Sequence, residues 1–275
     1  MQPAHLGTIN TINTTGTTPI ESVLLVEKHD GIAWLTLNRP KQYNALSSTL
    51  LDHLHAAFDD IADDQSICVA VIAANGQAFC AGHDLKEMQS TSDARFAANL
   101  FQRCSAMMLK IAQLPVPVIA EVQGMATAAG CQLVAQCDLA VAAESSKFAV
   151  SGVNLGLFCA TPAVALSRTI SRKRAAEMLM LGEFIDAPTA LDWGLINRVA
   201  NAESLRAETL KLCETLKAKP REALAMGKAL FYRQLETGIE AAYQDASTTI
   251  ACNFAHPDAQ EGINAFLQKR KPNWH

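Results

Sequence analysis

The hydrophobic pattern of this chain predicts an α/β fold of parallel strands wound with helices, followed by an all-helical tail. Three observations carry that expectation. Residues Cys68–Ala74, Pro115–Val122 and Asp138–Ala143 are short apolar runs without polar alternation, the pattern of strands covered on both faces. Segments of helical period separate them, as parallel βαβ units require. From about Ala202 onward four helical segments follow one another with no strand between them.

In chain order, Ser22–Val26 and Ile32–Leu37 flank His29-Asp30-Gly31 and are predicted to form a hairpin, ended by Asn38-Arg39-Pro40. Ser47 or Ser48 caps a helix in which Leu50, Leu51, Leu54, Phe58 and Ile61 recur at helical spacing. The strand Cys68–Ala74 closes at Asn75-Gly76. A helix is predicted over Phe96–Leu114, a strand over Pro115–Val122 ending at Gly124, and a helix over Thr127–Gln136. Asp138–Ala143 and Gly194–Val199 are the remaining predicted strands, and 203–219, 221–237, 239–254 and 258–268 the helices of the tail. The expected organisation is a flexible tail at 1–20, an α/β core over 21–201 and a helical region over 202–275.

Composition excludes several classes. With 275 residues, 49% hydrophobic and 18% charged, the chain can bury a large core. A formal charge of −4 gives no footprint for nucleic acid. The longest apolar run, about Leu114–Ala120, is far short of the ~20 residues that span a bilayer, so no membrane role is expected. Cys68, Cys80, Cys104, Cys131, Cys137, Cys159, Cys213 and Cys252 form no C-x-x-C pair and read as free core thiols of a reducing compartment. The first twenty residues lack Lys and Arg, and therefore the flank of a secretory signal or the arginines of a presequence. The expected location is the cytoplasm.

The common chemical signatures are missing. Ser151 lacks the glycines of a nucleophile elbow, and Gly124 and Gly130 have no lysine following them as a P-loop would. His53 and His55 do not share a helix face, and His83-Asp84 has no supporting ligand cluster, so no metal site is expected. Two segments stand out. Ala78-Phe79-Cys80-Ala81-Gly82-His83-Asp84-Leu85-Lys86 and Gly124–Gln132 are small-residue turns at the carboxyl ends of core strands, where open α/β sheets place ligands. One N–H from each turn converging on a carbonyl oxygen and simple tight packing both account for such turns.

In this order and about fifty residues apart, these segments resemble the enoyl-CoA hydratase/isomerase (crotonase) superfamily. The likeness includes Leu37–Leu46, Cys137-Asp138-Leu139, Phe148 with Asn154–Leu157, and Ala190–Leu195, and extends over roughly 21–270. Gly156–Pro162 is further similar to the vertebrate enoyl-CoA hydratase domain-containing subgroup numbered third. The resemblance implies a spiral of ββα turns forming two nearly perpendicular sheets (the ClpP/crotonase fold), with C-terminal helices that build a trimer or a hexamer of two trimers. It implies an acyl-CoA thioester as ligand, with coenzyme A entering as part of the substrate and no separate cofactor. By position, the main-chain N–H groups of His83 and Ala129 would hold the thioester oxygen. Lys41, Gln42, Tyr43 and Asn44, together with Ala81, Gly82, Asp84, Leu85 and Lys86, would line the coenzyme A channel, with Gly130 in the second turn and Cys159 at the rim. Lys269-Arg270-Lys271 is either a phosphate contact or a solvated end.

The sequence departs from the family at its acids. Hydratases of this kind use two glutamates, and their positions here hold Gln132 and Gly152. An amide can hold a water but cannot exchange a proton near pH 7, and glycine can do neither. General acid–base catalysis contributes ~10²–10⁴-fold, so two-glutamate hydration is expected to be weak or absent. Glu121 and Glu144 match no catalytic position and read as structural or surface groups, and Asp138 reads as structural. The His83 side chain as acid or base, the Cys159 thiol as nucleophile, and Ser151 and Asn154 as orienting groups remain open. So does the alternative of a non-catalytic thioester binder or regulatory oligomer.

Overall fold

The structure is a computed structural model that describes residues 22–91 and 93–274. The expected tail at 1–20 lies outside the described residues. The strands β1 (Leu24–His29) and β2 (Ile32–Leu37) pair antiparallel across Asp30-Gly31. Both turn residues have positive φ, 51° and 73°, as a tight two-residue hairpin with right-handed twist requires. The ladder runs to His29↔Ile32, so β1 starts later and ends later than its apolar pattern predicts. Helix α1 (Ser48–Asp63) is capped by the Ser47 hydroxyl, which accepts from the Leu50 N–H at 3.2 Å, and it buries Leu50, Leu51, Leu54, Phe58 and Ile61.

From there the chain winds in turns. β3 (Val69–Ala74) is followed by β4 (Ala78–Cys80), α2 (Leu85–Ser90) and α3 (Ala94–Gln113). β5 (Val118–Val122), β6 (Met125–Thr127) and α4 (Ala129–Gln136) make the next turn. β7 (Leu139–Ala143), β8 (Lys147–Ala149), α5 (Ala160–Thr169) and α6 (Arg172–Leu181) make another, and β9 (Ile185–Asp186), α7 (Ala187–Trp193) and β10 (Arg198–Ala200) close the core. The first strands of these turns, with β1, β2 and β10, form one sheet, ordered β1-β2-β3-β5-β7-β10 and parallel from β2 onward. Their second strands, joined by the antiparallel β9, build a smaller sheet, β4-β6-β8-β9. This is the expected spiral of ββα units.

The small sheet accounts for most differences from the sequence pattern. Thr127, expected to open a helix, ends β6, and α4 begins at Ala129. Gly194, expected in the last strand, instead stops α7 with a left-handed φ of 84°, and only Arg198–Ala200 pair with β7.

The central strands β2, β3, β5 and β7 are covered on both faces, which is why they carry nearly unbroken apolar runs, whereas the edge strand β1 is largely exposed. Leu35, Leu37, Ile72, Val118 and Ala120 pack toward α1 and α3, while Ile32, Trp34, Val71, Ile119 and Val141 pack toward α8 (Leu205–Lys217). Glu121 is on this second face, away from the small sheet. Its carboxylate meets Arg206 at 3.0 Å, and the Arg206 guanidinium lies 3.7 Å from the Trp34 ring centroid. Burial raises the Glu121 pKa against the opposing effect of Arg206. Glu144 is exposed. Among the described residues no helix is long and apolar enough to cross a membrane.

Helices α9 (Arg221–Gln234), α10 (Ile239–Ala255) and α11 (Pro257–Leu267) follow the predicted segments closely. A polar knot ties α9 to the core. The Lys228 Nζ donates to Asp138 Oδ2 at 2.7 Å and to the Ile111 and Val116 carbonyls, and the Tyr232 hydroxyl donates to Asp138 Oδ1 at 2.8 Å. Asp138 Oδ2 also accepts from the Val118 N–H at 2.6 Å. Burial pulls the Lys228 pKa down, opposed by Asp138. Removing one partner strands the other charge where water is scarce. Lys228→Ala is therefore expected to lower stability by about 3–5 kcal/mol in a urea titration, whereas removing the exposed Lys211 of the Glu208 pair changes it by less than about 1 kcal/mol.

Candidate active site

Because β4 and β6 are parallel neighbours, paired at Cys80↔Ala126, the turns that follow them lie side by side. Their separation is set by glycines. A Cβ on Gly130 would overlap the Cys80 carbonyl oxygen, and one on Gly82 (φ 94°) would fall 2.9 Å from the Ala128 Cβ and 3.4 Å from the Ala129 nitrogen. The Thr127 hydroxyl donates to the Ala81 carbonyl at 3.0 Å and stitches the turns together.

The first turn also pairs with Leu46 through an isolated bridge. The Leu46 N–H donates to the Gly82 carbonyl at 2.7 Å and the Asp84 N–H to the Leu46 carbonyl at 3.3 Å, which leaves the N–H of His83 between them. In the second turn the Ala128 N–H donates to the Ala149 carbonyl at 2.9 Å, and Ala129 is the first residue of α4. Among the described residues, neither the His83 N–H nor the Ala129 N–H has an acceptor. Ala128 itself has φ 49° and ψ −118°, a backbone position that an L side chain rarely adopts.

These turns form one wall of a cleft of about 300 Å³. Its other walls come from α2, α3 and the 151–162 segment, with Met88, Phe101, Leu155, Leu157 and Phe158 exposing apolar groups to it. Only His83 and Cys159 among the lining residues titrate, and Ser151 and Thr161 add hydroxyls. No carboxylate lines it among the described residues. The His83 ring lies edge-on to Phe101, with centroids 5.1 Å apart, and both ring nitrogens are buried without a partner. Burial pulls its pKa down, against smaller opposing effects of the Leu46 main chain and the Glu87 charge. The imidazole is therefore neutral at pH 7.

Gly152 lines the cleft and has no room for a side chain. A Cβ there would lie 2.5 Å from the Leu157 oxygen and 2.7 Å from the Cys159 Sγ, and the Leu157 N–H donates to the Gly152 carbonyl at 2.9 Å. Cys159 is buried at the mouth of α5, and burial pushes its thiol up, with the Gly152 main chain opposing. Gln132 is 3% exposed with its Oε1 unpartnered, and it is not among the cleft-lining residues.

The remaining expected contacts divide. Ala81 and Leu85 line the cleft. Lys41 and Tyr43 border a separate shallow hollow with Pro40, Gly76 and Gln77, and Gln42 and Lys86 are exposed. Asn44 does not face solvent or the cleft. It is fully buried, its amide donates to the Asn75 and Ala78 carbonyls and its oxygen accepts from the Arg39 N–H, so it braces the loop. Asp84 pairs with Arg39 at 2.8 Å and caps α2. Arg270 is engaged by Glu261 at 2.6 Å, and none of Lys269, Arg270 and Lys271 reaches the cleft. Sequence reasoning missed Phe101, Phe158 and Thr161. The signal for the 155–158 wall was present as apolar residues in a loop, Leu155-Gly156-Leu157-Phe158, which a solvated loop does not need.

The enoyl-CoA hydratase/isomerase family model matches residues 27–275. The chain belongs to the enoyl-CoA hydratase/isomerase family. A mouse relative, enoyl-CoA hydratase domain-containing protein 3, mitochondrial, is 47% identical over 247 residues, covering 90% of this chain and 82% of the relative. The crystal structure of an enoyl-CoA hydratase from Mycobacterium smegmatis superposes with a TM-score of 0.91 at 55% identity, covering 93% of this chain and all of the other. The crystal structure of human enoyl-CoA hydratase domain-containing protein 3 does so with a TM-score of 0.89 at 45% identity, covering 92% and 100%. The narrower likeness read from Gly156–Pro162 thus holds across the chain. One expectation falls. The mouse and human relatives are named mitochondrial, which overturns the cytoplasmic location inferred from residues 1–20, a segment whose lack of Arg and Lys says little about compartment.

The glycine spacing gives a direct test. Gly130→Ala must drive α4 away from Cys80 and is expected to cost more than about 2 kcal/mol in chemical denaturation. Ala128→Gly relieves a strained backbone and is expected to gain about 1 kcal/mol, net of the larger entropy of the unfolded glycine.

Proposed function

We propose that this cleft binds the acyl arm of an acyl- or enoyl-coenzyme A thioester, and that the main-chain N–H groups of His83 and Ala129 hold its carbonyl oxygen. The observation that carries this reading is the pair of acceptor-free amides at adjacent turns, set beside an apolar cleft. Proton loss beside the thioester, or attack on it, moves negative charge onto that oxygen. Donors fixed before the reaction meet the charge with little reorganisation, and each is typically worth ~10²–10³ in rate. Membership of a family of coenzyme A thioester enzymes supports the same substrate class. Coenzyme A enters as part of that substrate, its pantetheine and nucleotide following the Lys41–Tyr43 and Gly82–Lys86 side.

Hydration by paired glutamates does not fit this cleft. Gln132 is off the lining, Gly152 cannot carry a side chain in this loop, and the titratable groups present are neutral ones. The chemistry we assign is therefore enolate- or oxyanion-stabilising without a carboxylate pair, of the decarboxylation, isomerisation or thioester-cleavage type. The lack of a lining carboxylate also favours a second reading, a thioester binder with no turnover. The mitochondrial names of the relatives support work in that compartment. Exposed Ile239, Tyr243, Phe254 and Phe266 on α10 and α11, each at least 60% accessible, support burial against further copies in a trimer or hexamer. Light scattering at micromolar concentration is expected to give a trimer or a multiple of it, and a monomer overturns that assignment.

Polarisation of the thioester is checked by difference infrared spectroscopy. The carbonyl stretch of bound octanoyl-CoA is expected at lower frequency than in water, and His83→Ala is expected to keep the shift because the donor is main chain. An unshifted band would refute the two-amide reading. Crotonyl-CoA hydration is expected at a kcat/KM at least ~10²-fold below that of a two-glutamate hydratase. Gly152→Glu is not expected to restore it, since the added Cβ collides with Leu157 and Cys159.

A further inference from the structure

Three parallel strand exits meet at the cleft. β4, β6 and β8 are neighbours in the small sheet, and the Ala128 N–H donates to the Ala149 carbonyl at 2.9 Å, which ties the exit of β6 to that of β8. His83 and Ala129 follow the first two strands, and Ser151 follows the third. Helix α5 brings a second hydroxyl to the same place. It packs against α4, and the Thr169 hydroxyl donates to the Ala135 carbonyl at 3.0 Å near the far end of both helices. Their first turns, at Ala129 and Thr161, open together on the cleft. Among the described residues, neither the Ser151 nor the Thr161 hydroxyl has a hydrogen-bond partner, and both stay accessible although the residues are half-buried. The hydroxyls of Thr127, Ser146 and Thr209, in contrast, each donate to a main-chain carbonyl. Thr161 is too near the start of α5 to bond back to a preceding helical turn, as Thr169 does to Ala165.

We propose that Ser151 and Thr161 form a second oxygen-binding pair, and that the cleft takes 3-oxoacyl thioesters of coenzyme A. The 3-oxo oxygen accepts from these hydroxyls while the thioester oxygen accepts from the His83 and Ala129 N–H groups. This rests on the thioester reading given above and names the acyl class within it. The order of strand exits sets the position of the second oxygen. Ser151 follows the strand next to the one that delivers Ala129, so that oxygen lies close to the thioester and not at the end of the acyl chain. Both pairs are hydrogen-bond donors, and a keto oxygen needs only donors, whereas a 3-hydroxy group also has a proton to place. The lack of a base in the cleft fits the same class. No carboxylate lines it among the described residues, and the His83 ring nitrogens are sealed. A C2–H between two carbonyls is lost far more readily than that of a plain acyl thioester. The resulting enolate spreads its charge over both oxygens, each of which then meets a donor pair. An ionised carboxy group in the same place would be buried without a cation, since none lines the cleft among the described residues. Beyond C3 the chain lies among Met88, Phe101 and Leu155.

The test measures equilibrium binding of octanoyl-CoA, 3-oxooctanoyl-CoA and 3-hydroxyoctanoyl-CoA to the full chain by calorimetry. The 3-oxo compound is expected to bind about 30-fold more tightly than octanoyl-CoA, as two added neutral hydrogen bonds give. Ser151→Ala and Thr161→Val are each expected to cut that ratio about fivefold, and the double variant to bring it close to one. A ratio taken within one protein separates this effect from a general loss of stability, which lowers both affinities alike. Equal binding of the two ligands by the parent, or a ratio that both substitutions leave unchanged, overturns the second pair. Tighter binding of the 3-hydroxy than of the 3-oxo compound overturns the keto assignment. Absence of saturable binding by all three overturns the thioester reading itself.

Discussion

The close approach of two main-chain turns governs the rest of this structure. Gly130 against the Cys80 carbonyl and Gly82 against Ala128-Ala129 leave no room for a Cβ, so β4 and β6 can bring their exits together only with hydrogen at those positions. The parallel pairing of the small sheet sets direction, and the glycines set distance. The consequence is that the His83 and Ala129 N–H groups, at the exits of neighbouring strands, have no acceptor among the described residues, a state that costs free energy where water is kept out. Ala128 adds strain of the same kind at the same place. Folding energy gained in the large sheet and its helices is set against these local costs.

That arrangement also explains how charge is distributed. The acidic groups near the site are engaged elsewhere: Asp84 with Arg39 and the α2 cap, Glu87 with the Ser48 N–H, Glu121 under Arg206 on the far face of the sheet. The cleft is left with a neutral imidazole and a neutral thiol in apolar surroundings. A permanent carboxylate there would oppose an oxyanion in a medium of low dielectric, where charges act strongly. On the proposed thioester reading, a cleft without one would leave the main-chain N–H dipoles unopposed, and it would offer no carboxylate to carry a proton.

Much of this was legible in the sequence. The apolar runs of β3, β5 and β7 and the helical periods of α1, α3 and α8–α11 announced themselves because each element is long enough for a period to repeat. The small sheet did not. Its strands have two or three residues, and Ala78–Cys80 or Met125–Thr127 owe their conformation to tertiary pairing. Helices α5–α7 were likewise not predicted. At the site, the two small-residue turns were visible as glycines and alanines after strands, but the role of Asn44 was not. A buried amide that braces a loop and one that meets a ligand look identical in one sequence, and only its three main-chain partners decide between them. Gln132 and Gly152 were read as paired substitutions, yet their surroundings differ: one is buried and not among the cleft-lining residues, the other lines the cleft with no room for a Cβ.

The helical tail raises a different question of stability. Helices α9–α11 keep Phe231, Ile239, Tyr243, Phe254 and Phe266 more than half exposed, and no residue of α9 or α10 is fully buried. Such helices bury too little of their own apolar surface to hold their position by packing alone. What fixes α9 is the knot at Asp138, whose carboxylate takes a proton donor from β5, one from Lys228 and one from Tyr232. Directional hydrogen bonds thus hold α9 in place where little apolar surface is covered. A surface presented in that way, apolar and held in a definite pose, favours closed association over indiscriminate sticking, because only a copy with the matching pose can cover it. Asp138, expected only to be structural, therefore fixes the pose of α9.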